Sequence, residues 1–420
     1  MGRELSVLLP AHAQQDVLVF CYAQNPPHDV HDGPYRRKFV QGVHAFREIN
    51  PLSDLAVAQM MRDDKLDILV DLMGYTHGAR DGVVAHRPAR LQISFKGYMS
   101  TMGSAYHDGL VADLVSVPAE MAPYYSEALL HVAPVFSAST HAINHPDVPY
   151  LAAVSRKDAK LPQDPEVFVF ACFNSLYKIT PSLFNVWLSI LKKVPKSVLW
   201  LLKEPADAAA YLCRAAKAKG VSCSRLIFTP KVPITHHLQI KANAGLFLDT
   251  VLYNAHSTAA DALWAGIPVL TLAREKMASR VGASLALSLG LPQLVARTLA
   301  EYEEIAVRLA TSPGKLARLR RQLVVRRTLA MNAAAGGSST AGRAGAPGLV
   351  GGGGGGGASS CRDSSTILFD VPRWMRCYER LLGMALEARG ASTGPADGTV
   401  RPVDARGVMN GERAYHLIVV

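Results

Sequence analysis

Short apolar runs bounded by polar or glycine-containing turns recur through the first 140 residues, at 17–22, 66–73, 91–98 and 109–117. Runs of that length and composition predict buried strands, and the helical or turn segments between them predict α/β layers. After a passage with proline and histidine at 141–165 the pattern restarts. It predicts a strand at 167–173, a helix at 181–194, and further strands at 197–202, 226–229 and 246–249. The helix has the clearest bounds. Thr180 suits the cap, Pro181 the first helical position, and Leu183, Phe184, Trp187, Ile190 and Leu191 share one face. It should stop before Pro195, because the residue preceding a proline prefers extended backbone.

Two α/β domains are therefore expected, at 1–150 and 151–329. From 330 to 365 the composition collapses to Ala, Gly and Ser, with glycine at every position of 351–357. Such a stretch buries too little apolar surface to offset its ordering entropy, so it reads as a disordered insertion. A helical pattern resumes at 366–390 through Trp374, Tyr378, Leu381 and Leu382, predicting a helix that packs back on the body. Residues 391–420 read as a Gly- and Pro-broken tail.

At 420 residues, 49% hydrophobic and 19% charged, the chain has ample core for two or three domains, which excludes a small disulfide scaffold. No apolar run approaches the roughly 20 residues that span a bilayer, and the start lacks a signal-peptide pattern, so a nuclear or cytoplasmic chain without membrane contact is expected. The six cysteines form no CxxC pair. Cys21 and Cys172 lie in apolar strands, and neither a disulfide framework nor a zinc site is expected.

The net charge of +11 suggests nucleic acid until it is located. Between Ile305 and Arg362 lie nine Lys or Arg and no Asp or Glu, leaving the rest nearly balanced. Arg318, Arg320, Arg321, Arg326 and Arg327 alternate there with Leu316, Leu319, Leu323 and Val324. An amphipathic helix with a solvated basic face is the favoured reading, and no nucleic-acid partner is expected.

Chemistry is expected at a cleft at the carboxyl ends of parallel strands. There is no GxxxxGK followed by Ser or Thr, no GxGxxG between strand and helix, no GxSxG and no HExxH. One phosphate device remains. LFLDTVLYNAHSTAADALWAG, at 246–266, reads as a buried strand, a loop, and a helix whose first turn carries His256, Ser257 and Thr258, with Asp261 one turn on. Free amides at that helix start favour an anion, and Asp261 can accept from a ribose hydroxyl. The alternative is that Ser257 or Thr258 caps the helix and Asp261 complements its dipole.

FNSLYK, at 173–178, follows a buried strand and places Lys178 where an ammonium can neutralise a departing diphosphate; the alternative is a solvated loop lysine. In the first half, Tyr75, His77, Arg80, His86 and Arg87 lie in one glycine-rich turn. Gly97, Ser100, Thr101 and Gly103 form a small-residue loop that a substrate backbone can approach. Taken singly, those histidines read as surface residues.

Together these segments resemble the catalytic region of the O-linked N-acetylglucosamine transferases. DLMGYTHGAR, RPARLQ, GYMSTMGSAYHD, FNSLYKITPS, VPKSVLWLL, LDTVLYNAHSTAADALWAGIPVLT and ASRVGASL are similar to family blocks, across 17–311 and again at 368–387. The resemblance implies a GT-B fold: two Rossmann-like domains facing across a cleft, the first truncated at its start. It implies transfer of GlcNAc from the donor UDP-GlcNAc to Ser or Thr of nuclear and cytoplasmic proteins, with inversion and with neither metal nor cofactor. Lys178 then matches the lysine that stabilises departing UDP. His256, Ser257 and Thr258 match the turn on the phosphates, Asp261 the ribose ligand, and His237 a histidine of the uridine loop.

The chain departs from the family at Ser175, where a glutamine contacts the nucleotide, at Ile234, where a lysine is usual, and at Arg62, where a second histidine is expected. An opening strand and its His-Pro motif have no counterpart, so the first sheet is expected to be one strand short with an open edge. Two alternatives stay beside the GlcNAc reading: a Spindly-like transferase using GDP-fucose, and an inactive module that binds nucleotide or a partner. The histidine before the hydroxyls and LYK favour the GlcNAc branch.

Overall fold

The computed structural model describes residues 2–12, 17–25, 33–151, 154–336, 367–392 and 415–419. The chain divides into two compact units. The first is Met1–Thr140 with Lys276–Ala278 and Met375–Val420; the second is His141–Glu275 with Ser279–Trp374.

The first unit holds β1 (Val17–Ala23), β2 (Ala45–Glu48), β3 (Ile68–Asp71), β4 (Leu91–Ser94), β5 (Gly109–Ala112) and β6 (Ala128–His131). The second holds β7 (Phe168–Cys172), β8 (Ser197–Leu202), β9 (Leu226–Thr229), β10 (Leu246–Leu248), β11 (Val269–Leu272) and β12 (Val295–Ala296). A strand from the far end of the chain, β13 (Tyr415–Val419), returns to the first unit. Every pairing is parallel. All four residues of each of β3, β4 and β5 are buried, as a sheet covered on both faces requires.

The second sheet runs β9-β8-β7-β10-β11-β12, the doubly wound order in which the chain reverses direction between its first and fourth strands. The first runs β2-β1-β13-β3-β4-β5-β6. The two orders coincide once β13 is given the place that β7 holds in the second sheet. This corrects two expectations. The sheet is not open at that place, because β13 lies between β1 and β3 and pairs with both, and part of the expected tail is a strand.

Local signals account for most of the rest. Ser53 accepts from the Ala56 amide to start the helix Asp54–Asp63, which buries Val57 and Met61 against Phe20, Tyr22 and Leu69. Thr180 accepts from the Leu183 amide, Pro181 opens the helix, and Pro181–Lys193 ends where expected. The helix Val371–Ser392 contributes Tyr378, stacked 5.2 Å from Phe95, and Glu379, 2.9 Å from His12 Nδ1, to the first unit. The four-residue β2 and β6, neither with a buried residue, and the two-residue β12 are strands that the apolar pattern does not mark.

Three further corrections concern the second unit. Cys213 and Cys223 form a disulfide, because Gly220, in left-handed conformation, ends the helix Ala208–Ala218 and turns the chain back. The basic helix, Pro313–Gly336, does not keep all its arginines in solvent. Arg320 donates to the Ala244 carbonyl and Arg327 to the Trp264 carbonyl at 2.7 Å, while Val324 is exposed. Long stems let these guanidiniums reach unpaired carbonyls; that of Trp264 closes a helix. The same helix continues through 330–336, the first part of the expected disordered insertion; residues 337–366 and 393–414 lie outside the described residues.

Candidate active site

In the second sheet β7 and β10 are neighbours whose connections leave in opposite directions, so a crevice opens at their carboxyl ends. Two loops line it. After β7 come Phe173, Asn174, Ser175 and the turn Leu176–Lys178; after β10 come 249–256 and the helix Ser257–Trp264.

Asp249 organises the second loop from beneath. Its Oδ1 accepts from the Thr250 amide at 2.8 Å, the Ala255 amide at 2.6 Å and Asn174 Nδ2 at 3.4 Å, and its Oδ2 accepts from Thr271 Oγ1 at 2.8 Å. Burial pushes its carboxyl up to about 7, against the pull of those donors and of Lys178. Gly282 must lack a side chain here, since a Cβ would stand 2.5 Å from Asp249 Oδ2. Thr250 Oγ1 donates to the Tyr253 carbonyl at 2.6 Å, and Asn254 Nδ2 to the Thr250 carbonyl at 2.6 Å. The Gly282 amide donates to Asn254 Oδ1 at 3.1 Å. With so many donors and acceptors spent within it, the loop is fixed before any ligand arrives.

Lys178 lies half-buried against this loop. Its Nζ donates to the Asn254 carbonyl at 3.4 Å and stands 3.9 Å from the centre of the Tyr253 ring. Burial lowers its pKa, while Asp249 and Cys172 raise it. Among the described residues no carboxylate lies within ion-pair distance of it. The Ser175 carbonyl accepts from the Lys178 amide at 3.0 Å and closes the turn.

His256 is the N-cap of the helix Ser257–Trp264, and no side chain caps it. The capping alternative for Ser257 and Thr258 is therefore set aside. Ser257 is exposed and Thr258 half-buried, and the intrahelical ladder begins only with the Ala259 and Ala260 amides, both on the His256 carbonyl. The amides of Ser257 and Thr258 are left for an anion.

Asp261 points inward. It is 6% exposed, with Oδ1 2.7 Å from His141 Nε2 and Oδ2 3.3 Å from the Nζ of the fully buried Lys241. His237 stands edge-on to Phe173, 5.5 Å between ring centres, and lines a cavity of about 110 Å³ with Trp200, Thr229, Val232 and His236. The structure thus brings Lys178, Ser175, His256, Ser257 and Thr258 to one crevice. It sets His237 behind Phe173 and turns Asp261 into the core. Asp249, Tyr253, Lys241 and His141 escaped the sequence reading. Only LDT, a carboxylate ending a buried strand, hinted at one of them.

In the first unit the glycine-rich turn is largely structural. Arg80 binds Asp54 at 2.6 Å and the carbonyls of Ile49 and Leu52; Arg87 binds Asp108 at 2.9 Å. His77 and His86 are exposed. Gly97 is required by the Leu72 carbonyl, 1.7 Å from where a Cβ would stand, so chain crossing explains it without a substrate. Burial raises the Asp71 pKa, but His107 and the Met73 and Gly74 amides outweigh it and hold the carboxyl below its ordinary value. Among the described residues no cluster of His, Cys, Asp or Glu is arranged to hold a metal ion, and no helix is long and apolar enough to cross a membrane.

Two all-parallel α/β units ordered alike, with a loop and an uncapped helix start at the reversal point of the second, define a fold of the GT-B glycosyltransferase type. The chain belongs to glycosyl transferase family 41, whose model matches residues 5–150 and 139–333. It is 39% identical over 314 residues, 74% of this chain and 32% of the relative, to the probable UDP-N-acetylglucosamine–peptide N-acetylglucosaminyltransferase SEC of Arabidopsis thaliana. Over 69% of this chain and 31% of the relative it is 30% identical to the Arabidopsis protein named SPINDLY, which carries the same enzyme description. A solved structure of a substituted Thermobaculum terrenum O-GlcNAc transferase superposes with a TM-score of 0.73 at 27% identity, covering 92% of this chain and 66% of that one. The chain spans about a third of the length of the curated relatives.

Proposed function

We propose that the chain is the catalytic region of a protein O-GlcNAc transferase, moving GlcNAc from UDP-GlcNAc to Ser or Thr hydroxyls of nuclear and cytoplasmic proteins. The reaction is an inverting displacement without metal or cofactor. The acceptor oxygen forms a bond to the anomeric carbon as the bond to the β-phosphate oxygen breaks. The electron pair leaves with UDP and the hydroxyl proton is released.

The observation that carries this reading is the pairing of an ammonium with spare donors, Lys178, and an uncapped helix N-terminus at the reversal point of the second sheet. Lys178 and the Ser257 and Thr258 amides and hydroxyls then take the charge developing on the diphosphate, with His256 beside them. The cavity lined by Phe173 and His237 receives the base. The family resemblance assigns Asp261 to a ribose hydroxyl, while in the structure its carboxylate meets His141 and Lys241. SEC and SPINDLY are both described as N-acetylglucosaminyltransferases, which supports GlcNAc as the transferred sugar.

Calorimetric titration of the chain with UDP, UDP-GlcNAc and GDP-fucose tests it, repeated on Lys178→Ala and followed by transfer of labelled GlcNAc. Selective UDP binding that the substitution weakens, with transfer, is the expected result. Binding without transfer selects the inactive module, which Ser175 and Ile234 at two nucleotide-contact positions favour. Binding of no nucleotide ends the reading.

A further inference from the structure

Lys178 is held in an unusual way for a half-buried cation. An ammonium has three donors, and the only acceptor within reach among the described residues is the Asn254 carbonyl, at a long 3.4 Å. Against it also lies the Tyr253 ring, 3.9 Å to the centre, and that ring stacks on His256 at 4.8 Å and 25°. A carboxylate in that place would fix the ammonium but neutralise it and occupy its donors. An aromatic face attracts a cation through its quadrupole and leaves the N–H groups for another acceptor.

Three further observations point to the ring. Tyr253 is 41% exposed, so burial of apolar area does not explain an aromatic there. Its hydroxyl makes no hydrogen bond among the described residues. Its backbone, by contrast, is locked, through the Thr250 bond to its carbonyl and the Asp249 bonds on either side.

We infer that Tyr253 is a positioning residue: its ring holds the Lys178 ammonium beside the start of the helix Ser257–Trp264 with donors free for a diphosphate. The inference rests on the transferase reading for its function but not for its geometry. The groups facing Lys178 are Asp249 at the end of β10, Cys172 in β7, Tyr177 beside it in its own turn, and Tyr253 with His256 behind it. The Tyr253 ring can be removed without disturbing the buried carboxylate, whose hydrogen bonds go to Asn174, Thr250, Ala255 and Thr271.

The test follows the Lys178 Cε signal by NMR in chain labelled at lysine, assigned with Lys178→Arg, from pH 8 upward, where Asp249 is already ionised. Wild type, Tyr253→Phe and Tyr253→Leu are compared, with melting temperatures confirming that all three fold. A ring stabilises the charged ammonium, so its loss must lower the Lys178 pKa. Tyr253→Leu is expected to move the titration down by roughly half a unit to one unit, while Tyr253→Phe leaves it in place. In the transfer assay Tyr253→Leu should lower kcat roughly 3- to 30-fold with little change in the KM for donor, and Tyr253→Phe should restore it. A Tyr253→Leu titration coincident with wild type overturns the inference, and so does a Tyr253→Phe shift equal to that of Leu. If the titration moves as expected but the wild-type chain binds no nucleotide, the positioning role stands and the transferase reading falls.

Discussion

Leu417 pairs in parallel register with Val19 on one side and with Ile68 on the other, although it lies at the opposite end of the sequence from both. The first sheet is thus closed at its centre by the last described strand of the chain. A parallel sheet buried on both faces leaves no solvent for the polar groups of β1 and β3 if that strand is withdrawn, so the pairing should control the whole unit.

Leu417→Pro is accordingly expected to open the first sheet and spare the second. Proline removes a ladder N–H and is confined to edge strands and bulges, so a central strand does not accommodate it. Hydrogen exchange by mass spectrometry should show lost protection at 18–21 and 68–70, with 168–172 and 197–202 unchanged. Equal protection in both proteins would mean that β13 does not hold the sheet.

Lys178→Ala should cut transfer by about two to three orders of magnitude, in the range of a single lost donor to a developing oxyanion. Because Lys178 is half-buried and in no ion pair among the described residues, the melting temperature should barely move. Turnover at the wild-type rate would remove it from the leaving-group role.

Asp261→Ala removes a carboxylate partner from the buried ammonium of Lys241 and from His141. Breaking a buried pair on one side costs about 3–5 kcal/mol, whereas replacing both charges with apolar groups is often neutral. The single variant should therefore melt well below wild type, and Asp261→Leu combined with Lys241→Met should recover most of the loss. A single variant that melts like wild type yet binds UDP poorly would make the carboxylate a ribose ligand first.

Asp249 gives a pH dependence of defined sign. Its folded pKa of about 7 lies above the ordinary 3.8, so between those values the folded chain keeps a proton that the unfolded chain has released. Its contribution to stability falls as pH rises through that window and is level above it, by at most about 4 kcal/mol. Urea unfolding at pH 5 and pH 8 should show a smaller pH dependence in Asp249→Asn than in wild type. Identical slopes would show that the carboxyl titrates near its ordinary value.

Much of the molecule is written in short windows of sequence. β8 and β9 fall on the expected residues, and Thr180, Pro181 and Pro195 bound their helix, because a cap, a fixed φ and an apolar stripe act over a few residues. The loop–helix at 246–266 and the lysine of FNSLYK were legible for the same reason: strand, turn and helix start are consecutive, and together they carry the family resemblance.

Tertiary structure alone decided the features that depend on which distant segment becomes a neighbour. No local pattern shows that Tyr415–Val419 belongs between β1 and β3, nor that Cys213 meets Cys223. One turn of helix places Asp261 near the first amides of its helix, but its direction was set by Lys241 and His141, whose burial makes a partner obligatory. Nothing local marks Tyr253; its contact exists because the fold brings Lys178 across from the turn after β7. Propensity and periodicity act through the chain's own next few residues. Charge pairing, ring contacts and strand order act through space, and only the folded chain fixes those distances.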